Sequence, residues 1–408
     1  MELGKAVHSL YIHIPFCKRR CYYCDFLSFA AVGSLRQSAY IETIKAQLIA
    51  LKEAGLLQSI KTVYLGGGTP SYLDEALLEE LLEAIANCVD LSLLEEYTLE
   101  ANPESFDESQ MHTCKRIGVN RISLGVQSFI DDELKTIGRI HDSAAARACM
   151  KMLDDESFNY SIDLMCGLPY QTLESFSESI YKALDFNLKH ISIYPLTIEA
   201  GSVLDALIQK KVLSYPDDDF EADALELANK LLSSSNFERY EIASYSLPGF
   251  ESKHNSAYWT GEYYIGLGLG SHSMLSPEIF RRFARALSLD FDESLLKDSA
   301  RLRSNFVGTL DDYHAHSSKI ELEYLSAQEA VCEDLMLSMR RSVGISSDEF
   351  DKLLEGLPLL RQDALRVFEE AQRLGLVSFT ENRFMPTDKA WLLGNELFGR
   401  IWDLADRN

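Results

Sequence analysis

Three cysteines near the start of the chain, Cys17, Cys21 and Cys24, stand at Cys-x3-Cys-x2-Cys spacing between Pro15 and Phe26. They offer three thiolates, not four. A cuboidal iron–sulfur cluster has four iron corners, so three thiolates leave one iron open to a ligand from outside the chain. Other uses of the spacing fit worse. A structural zinc site takes four protein ligands, and His13 stands on the wrong side of Pro15 for a finger. A disulfide framework does not suit eight cysteines scattered over 408 residues with no secretory signal.

Such a loop needs a scaffold. Six short apolar runs, Ser9–Ile14, Lys61–Leu65, Tyr97–Ala101, Arg121–Gly125, Tyr160–Leu164 and His190–Tyr194, are rich in Ile, Val, Leu and Tyr. Amphipathic stretches such as Gln37–Ala54, Glu75–Asn87, Ser143–Asp155 and Leu173–Asn187 lie between them. This alternation predicts an α/β fold with a parallel sheet and right-handed crossovers. Such sheets bind ligands at the C-terminal ends of their strands. The unusual residues sit there: the cysteines after the first strand, Gly66–Pro70 after the second, and Asn102-Pro103 after the third. Gln127 follows the fourth and Gly167-Leu168-Pro169 the fifth.

Beyond Gly201 the period breaks down. A Tyr/Gly/Ser-rich stretch, Tyr240–Ser273, leads to helical patterns at Ser326–Arg341, Ser347–Glu355 and Arg361–Leu374. Leu376–Phe379 and Phe384–Met385 then read as a hairpin around Glu381-Asn382, before a last helix Asp388–Trp402. Helices followed by a two-stranded wing predict a small winged-helix-like module. The expected organisation is a core over 1–239, an extension over 240–320 and the module over 321–408.

The composition bounds the partners. Lys and Arg number 39 against 63 Asp and Glu, a net charge of −24, which argues against a nucleic-acid partner. Local arginines can still line a site for a small anion. No apolar run reaches the ~18 residues of a membrane span, and no signal-peptide hydrophobic region opens the chain, so a cytoplasmic protein is expected. Cys88, Cys114, Cys149, Cys166 and Cys332 lack metal-like spacing and read as buried small hydrophobes.

Further residues could carry chemistry at the strand ends. Gly66-Gly67-Gly68-Thr69-Pro70 lets the backbone approach a ligand closely, or simply makes a tight strand-to-helix turn. Glu100 and Asp163 are carboxylates at strand ends, costly there without partners such as ribose hydroxyls, an ammonium group or a neighbouring cation. Arg139 could grip a carboxylate with its planar fork or lie on the surface, and Gln127 could read a ribose or adenine edge. His254-Asn255-Ser256-Ala257-Tyr258-Trp259 could hold a flat cofactor, with His254 on haem iron. On composition alone, an aromatic core corner around a hydrogen-bonded histidine fits those six residues better. Gly266–Ser271 lacks the lysine of a phosphate loop and reads as a close-approach loop against the cofactor, while His314 and His316 read as solvated.

The cysteine loop is similar to that of radical S-adenosylmethionine (SAM) proteins. From Tyr11-Ile12-His13-Ile14-Pro15 to the C-terminal module, the chain resembles their HemN/HemW family. The resemblance implies a partial (β/α)6 radical SAM barrel with a winged-helix-like HemN-type module, and a 4Fe-4S cluster whose open iron takes the amino and carboxylate groups of SAM. It implies SAM contacts at Tyr11, Tyr23, Gly67, Gly68, Thr69, Glu100, Gln127, Arg139 and Asp163. Residues 240–245 and the His-Asn-x-x-Tyr-Trp block resemble the haem-chaperone branch, where this histidine is implicated in haem binding. That shifts His254 toward the functional reading.

The coproporphyrinogen III dehydrogenases of the same family typically carry a fourth cysteine, here Phe26, and a longer segment before the loop. A haem chaperone is therefore expected, with haem passed to acceptor proteins and an electron donor serving the cluster. The alternatives are oxygen-independent coproporphyrinogen III oxidase, acting on a porphyrinogen, and a radical SAM methyltransferase. Cys166 stands where the family often has an aromatic and Ala390 where it often has Gly.

Overall fold

The computed structural model describes residues 6–216, 218–315 and 319–406. Strand β1 (Ser9–Ile14) leads into the cysteine loop, pinned at its two ends by the short pair β2 (Phe16–Cys17) and β3 (Phe29–Ala30). There follow β4 (Thr62–Gly67), β5 (Glu96–Ala101), β6 (Arg121–Gln127), β7 (Tyr160–Cys166) and β8 (His190–Pro195). The ladders from β1 through β8 are parallel, with helices on the crossovers. Both faces of these strands are covered, which is why they read as nearly continuous apolar runs. Helix Glu75–Cys88 shows how a crossover forms: Asp74 accepts the Leu77 N–H as N-cap, and Leu78, Leu81, Leu82 and Ile85 form one buried stripe.

All six expected strands are present. Several run one or two residues further at their C-terminal ends; in β4, Gly66 and Gly67 continue the ladder opposite His13 and Ile14. The chain then turns back through β9 (Glu238–Arg239) and β10 (Ser244–Ser246), antiparallel on the β8 edge. Helix Lys253–Trp259 returns it to the opposite side, where β11 (Tyr264–Leu267) lies parallel to β1. The antiparallel strands β12 (His272–Leu275), β13 (Arg301–Val307) and β14 (Lys319–Leu325) complete a 12-stranded sheet. Its order is β14-β13-β12-β11-β1-β4-β5-β6-β7-β8-β10-β9.

Of the glycine-rich segment, only residues 268–271 form the loop between β11 and the next strand. Gly266 belongs to β11, and a Cβ at Gly268 would meet the His13 carbonyl and the Tyr40 hydroxyl at 2.5 Å. The Tyr40 hydroxyl donates to the His13 carbonyl and accepts the Leu269 N–H, both at 2.8 Å. Gly268 thus lets the chain pass close over β1, while Gly270 lines a cavity beside the cysteine loop.

The C-terminal residues have a second core around Leu335, Phe350, Phe368 and Leu397. Helices Ala327–Ser338, Ser347–Leu353 and Pro358–Arg373 pack with a small sheet of β15 (Ile345–Ser346), β16 (Val377–Thr380) and β17 (Arg383–Pro386). The hairpin turns at Glu381 and Asn382 with φ 51° and 60°, as a two-residue turn matched to strand twist requires. The single last helix expected from sequence is two, Asp388–Leu392 and Gly394–Trp402, separated at Leu393. Ala390 is buried in this core. Among the described residues, no helix is long and apolar enough to cross a membrane.

Candidate functional site

The C-terminal ends of the parallel strands open onto one cleft, and Cys17, Cys21 and Cys24 all line it. The loop that carries them is held from several sides. Tyr22 donates its N–H to Ile137 O at 3.0 Å, and its carbonyl accepts the Leu204 N–H at 2.9 Å. Arg19 reaches the Gly138 and Arg139 carbonyls, and His13 Nε2 lies 2.9 Å from Leu27 O. Tyr22 and Tyr23 pack on the small cluster of Ile137, Met165, Leu168, Leu196 and Leu204.

Each thiol meets a polar neighbour. Thr69 Oγ1 donates to Cys17 Sγ and Arg139 Nη1 to Cys21 Sγ, both at 3.5 Å. Burial, chiefly, pushes the Cys17 and Cys24 thiols above the usual range, and the other cysteines of the loop add repulsion. A bound cationic metal reverses that order and deprotonates coordinating thiols. No three His, Cys, Asp or Glu side chains among the described residues form a preformed single-ion cage. A cluster spreads its thiolates around a cube, so a set lining one cleft suits it better than a tight cage.

The rest of the cleft suits a cationic, zwitterionic ligand. Glu100 Oε1 accepts the Tyr64 hydroxyl at 2.8 Å, and Oε2 accepts the Gly67 N–H at 2.9 Å. Burial outweighs these bonds and pushes the Glu100 carboxyl up to about 7, with Asp163 adding repulsion. Asp163 is likewise pushed up to about 6 by burial, against the pull of Arg121. Two carboxyls strained in this way favour a positive partner. Arg139 Nη2 donates to Asn102 Oδ1 and to Gly125 O, both at 2.6 Å, while its buried Nε has no partner. An orphaned buried N–H is costly, and a carboxylate would satisfy it.

The three glycines owe their identity first to the protein itself. A Cβ at Gly67, where φ is +105°, would fall 2.2 Å from the His13 ring, and one at Gly68 would fall 2.7 Å from Ile14 O. Gln127 has φ 69° at the irregular end of the β6–β7 ladder, and lines the cleft with Tyr23 and Thr69. Asn102, which in the sequence only marks the end of the third strand, joins Thr69 Oγ1 at 3.0 Å to Arg139. Tyr64, which braces Glu100, is hidden in sequence as one more apolar strand residue.

Two expected residues stand elsewhere. Tyr11 faces a neighbouring cavity of about 720 Å³, with its hydroxyl 2.9 Å from His13 Nδ1. His254, on helix Lys253–Trp259, is buried against β4, with Nδ1 2.9 Å from Thr62 Oγ1, Nε2 2.9 Å from Tyr258 Oη, and its ring stacked on Tyr64. Burial pulls its pKa down to about 3. With both nitrogens engaged, this placement does not fit an iron ligand. Cys166 is a core residue whose thiol burial pushes up to about 12. His314 is half-buried, edge-on to Tyr40, and not solvated as expected, while His316 lies outside the described residues.

Residues 11–182 match the model of the Radical SAM superfamily. The chain is 33% identical over 399 residues to the heme chaperone HemW of Lactococcus lactis, covering 97% of each. It is 31% identical over 402 residues to the heme chaperone HemW of Bacillus subtilis, covering 96% of this chain and 98% of that one. Coproporphyrinogen III oxidase (HemN) from Escherichia coli superposes with a TM-score of 0.77 at 19% identity, over 99% of this chain and 91% of that one. At that identity the likeness establishes the fold: a partial radical SAM barrel with its C-terminal module. The Radical SAM family implies a 4Fe-4S cluster and SAM, and the lining of the cleft described above is compatible with both. With sequence relatives matched along nearly their whole length, the chain belongs to the radical SAM superfamily and, within it, to the family of the heme chaperone HemW.

Proposed function

We propose that this chain is a cytoplasmic haem chaperone that binds haem and passes it to acceptor proteins, on a scaffold that also holds a 4Fe-4S cluster and SAM. The similarity to chaperones over almost the whole chain carries the reading. In this reading Cys17, Cys21 and Cys24 hold the cluster, whose bound form supplies one-electron reduction at the SAM sulfonium. Gly67, Gly68 and Thr69 present backbone and hydroxyl groups to the SAM amino end. Glu100 and Asp163 take its cationic and ribose groups, with Gln127 and Tyr23 alongside. Arg139 offers its unpartnered Nε to the carboxylate.

The test is anaerobic reconstitution with iron and sulfide, then SAM, a reductant and either haem or coproporphyrinogen III. Stable haem binding, with coproporphyrinogen III unchanged in mass, is expected. A mass loss corresponding to two carboxyl groups overturns the chaperone reading in favour of the dehydrogenase. For the cluster, unchanged iron content in Cys21→Ala overturns the assignment.

A further inference from the structure

The sealed environment of His254 leaves the haem reading without an iron ligand, and the cavity of about 720 Å³ beside the cysteine loop supplies one. Its size falls in the range of sites that enclose a ligand of a few hundred daltons or more. Its wall is aromatic: Tyr11 from β1, Phe26 from the cysteine loop, Tyr258 from the helix before β11, and Tyr264 and Phe306 from β11 and β13. Tyr258 and Tyr264 meet edge to face, with ring centroids 4.7 Å apart. Flat aromatic rings suit a large planar macrocycle.

Three imidazoles line or back this cavity, and they differ in what they have left to give. His13 uses Nδ1 on the Tyr11 hydroxyl and Nε2 on Leu27 O. His254 lies one hydrogen bond behind the wall, with Nδ1 on Thr62 and Nε2 on Tyr258. His272, on β12 directly opposite Asn305 of β13, is exposed, lines the cavity, and has no side-chain hydrogen bond among the described residues. Partial burial and Arg303 hold its pKa below the usual histidine value, with Glu321 and Glu323 pulling the other way. A neutral imidazole is the form that ligates iron.

Resting on the haem-chaperone reading, we propose that haem binds in this cavity with His272 as its iron ligand, and that His254 is a positioning residue holding the Tyr258 hydroxyl in the cavity wall. The His-Asn-x-x-Tyr-Trp block then serves haem binding without touching iron. Its histidine and tyrosine stand four residues apart on one helix, so they lie on one face and meet.

The test is titration of the full-length reconstituted chain with haemin, read by absorption and electron paramagnetic resonance. The wild type is expected to show a histidine-ligated spectrum. In His272→Ala that signature is lost and affinity falls on the order of tenfold or more, while cluster iron is unchanged and added imidazole restores the spectrum. His272→Cys is expected to give a thiolate-type spectrum. Tyr258→Phe, which cuts the link to His254, is expected to keep the histidine signature and weaken affinity. A wild-type spectrum retained in His272→Ala, or one lost on Tyr258→Phe, overturns this assignment while leaving the chaperone reading standing. A wild type that binds no haemin overturns both.

Discussion

Gly66 lies so close to Glu100 that a Cβ there would fall 2.7 Å from the Glu100 carboxyl carbon. The carboxyl is fixed on its other side by Tyr64 and the Gly67 N–H, so it has no easy retreat. Gly66→Ala is therefore expected to weaken SAM binding on the order of tenfold, measured by equilibrium dialysis, with cluster iron unchanged. Gly33→Ala is the control, since its Cβ would meet nothing within 4 Å and its φ is −68°.

Glu100 and Asp163 give the molecule a pH dependence of definite sign. Both are pushed up in the folded chain, to about 7 and about 6, from the ordinary carboxylate range near ~4. The folded state then binds more protons than the unfolded state between those values, so stability falls as pH rises from ~4 to ~7. Chemical denaturation midpoints across that window check the slope, and Glu100→Gln is expected to flatten it. SAM binding runs the opposite way. Its cationic groups prefer ionised carboxylates, so affinity is expected to rise from pH 6 to pH 8.

Arg139 joins the strand ends to the cysteine loop through Asn102, Gly125 O and Cys21. Arg139→Met leaves buried acceptors without donors, each worth about 1–3 kcal/mol, and removes the cation beside the Cys21 thiol. The expected outcome is a lower denaturation midpoint and loss of SAM binding in the same variant. Iron per chain, read on samples reconstituted under the same conditions, is expected to fall as well.

The C-terminal module is tied to the sheet by one buried ionic cluster. Arg301 of β13 donates to Glu333 Oε2 at 2.8 Å and to both Asp334 oxygens at 2.7 and 2.9 Å. Arg303 also reaches Glu333. Arg301→Met strands buried carboxylates and is expected to cost about 3–5 kcal/mol, seen as an earlier urea transition. Asp334→Asn alone is expected to cost less, since Glu333 remains to pair with the guanidinium.

Local signals in the chain account for the six parallel strands and the cysteine loop. Those strands are covered on both faces, so their apolar runs are conspicuous, and Gly or Pro marks where several of them end. The strands from β9 to β12 carry no such run, whereas the β16–β17 hairpin is marked by its Glu381-Asn382 turn. β9 and β10 are two and three residues long, and β11 contains a glycine that only its neighbour at His272 explains. The cleft residues were legible as a set because strand ends collect on one face. Contacts across the sheet were not: Tyr64 with Glu100, Asn102 with Arg139, and His254 with Thr62 each join residues at least 36 positions apart in sequence. His254 shows the limit plainly, since a histidine flanked by aromatics reads the same whether its nitrogens are free or engaged.

Strand β1 is hydrogen-bonded along both sides, to β4 and to β11. A strand paired once can slip by a residue and be corrected later. One paired twice can slip only if two ladders break together. Because side chains alternate, a slip of one residue would turn Tyr11 and His13 to the opposite face and shift the point where Cys17 begins the loop. The distance between the thiols and the aromatic cavity is thus set by register, a discrete quantity, and not by the softness of a loop.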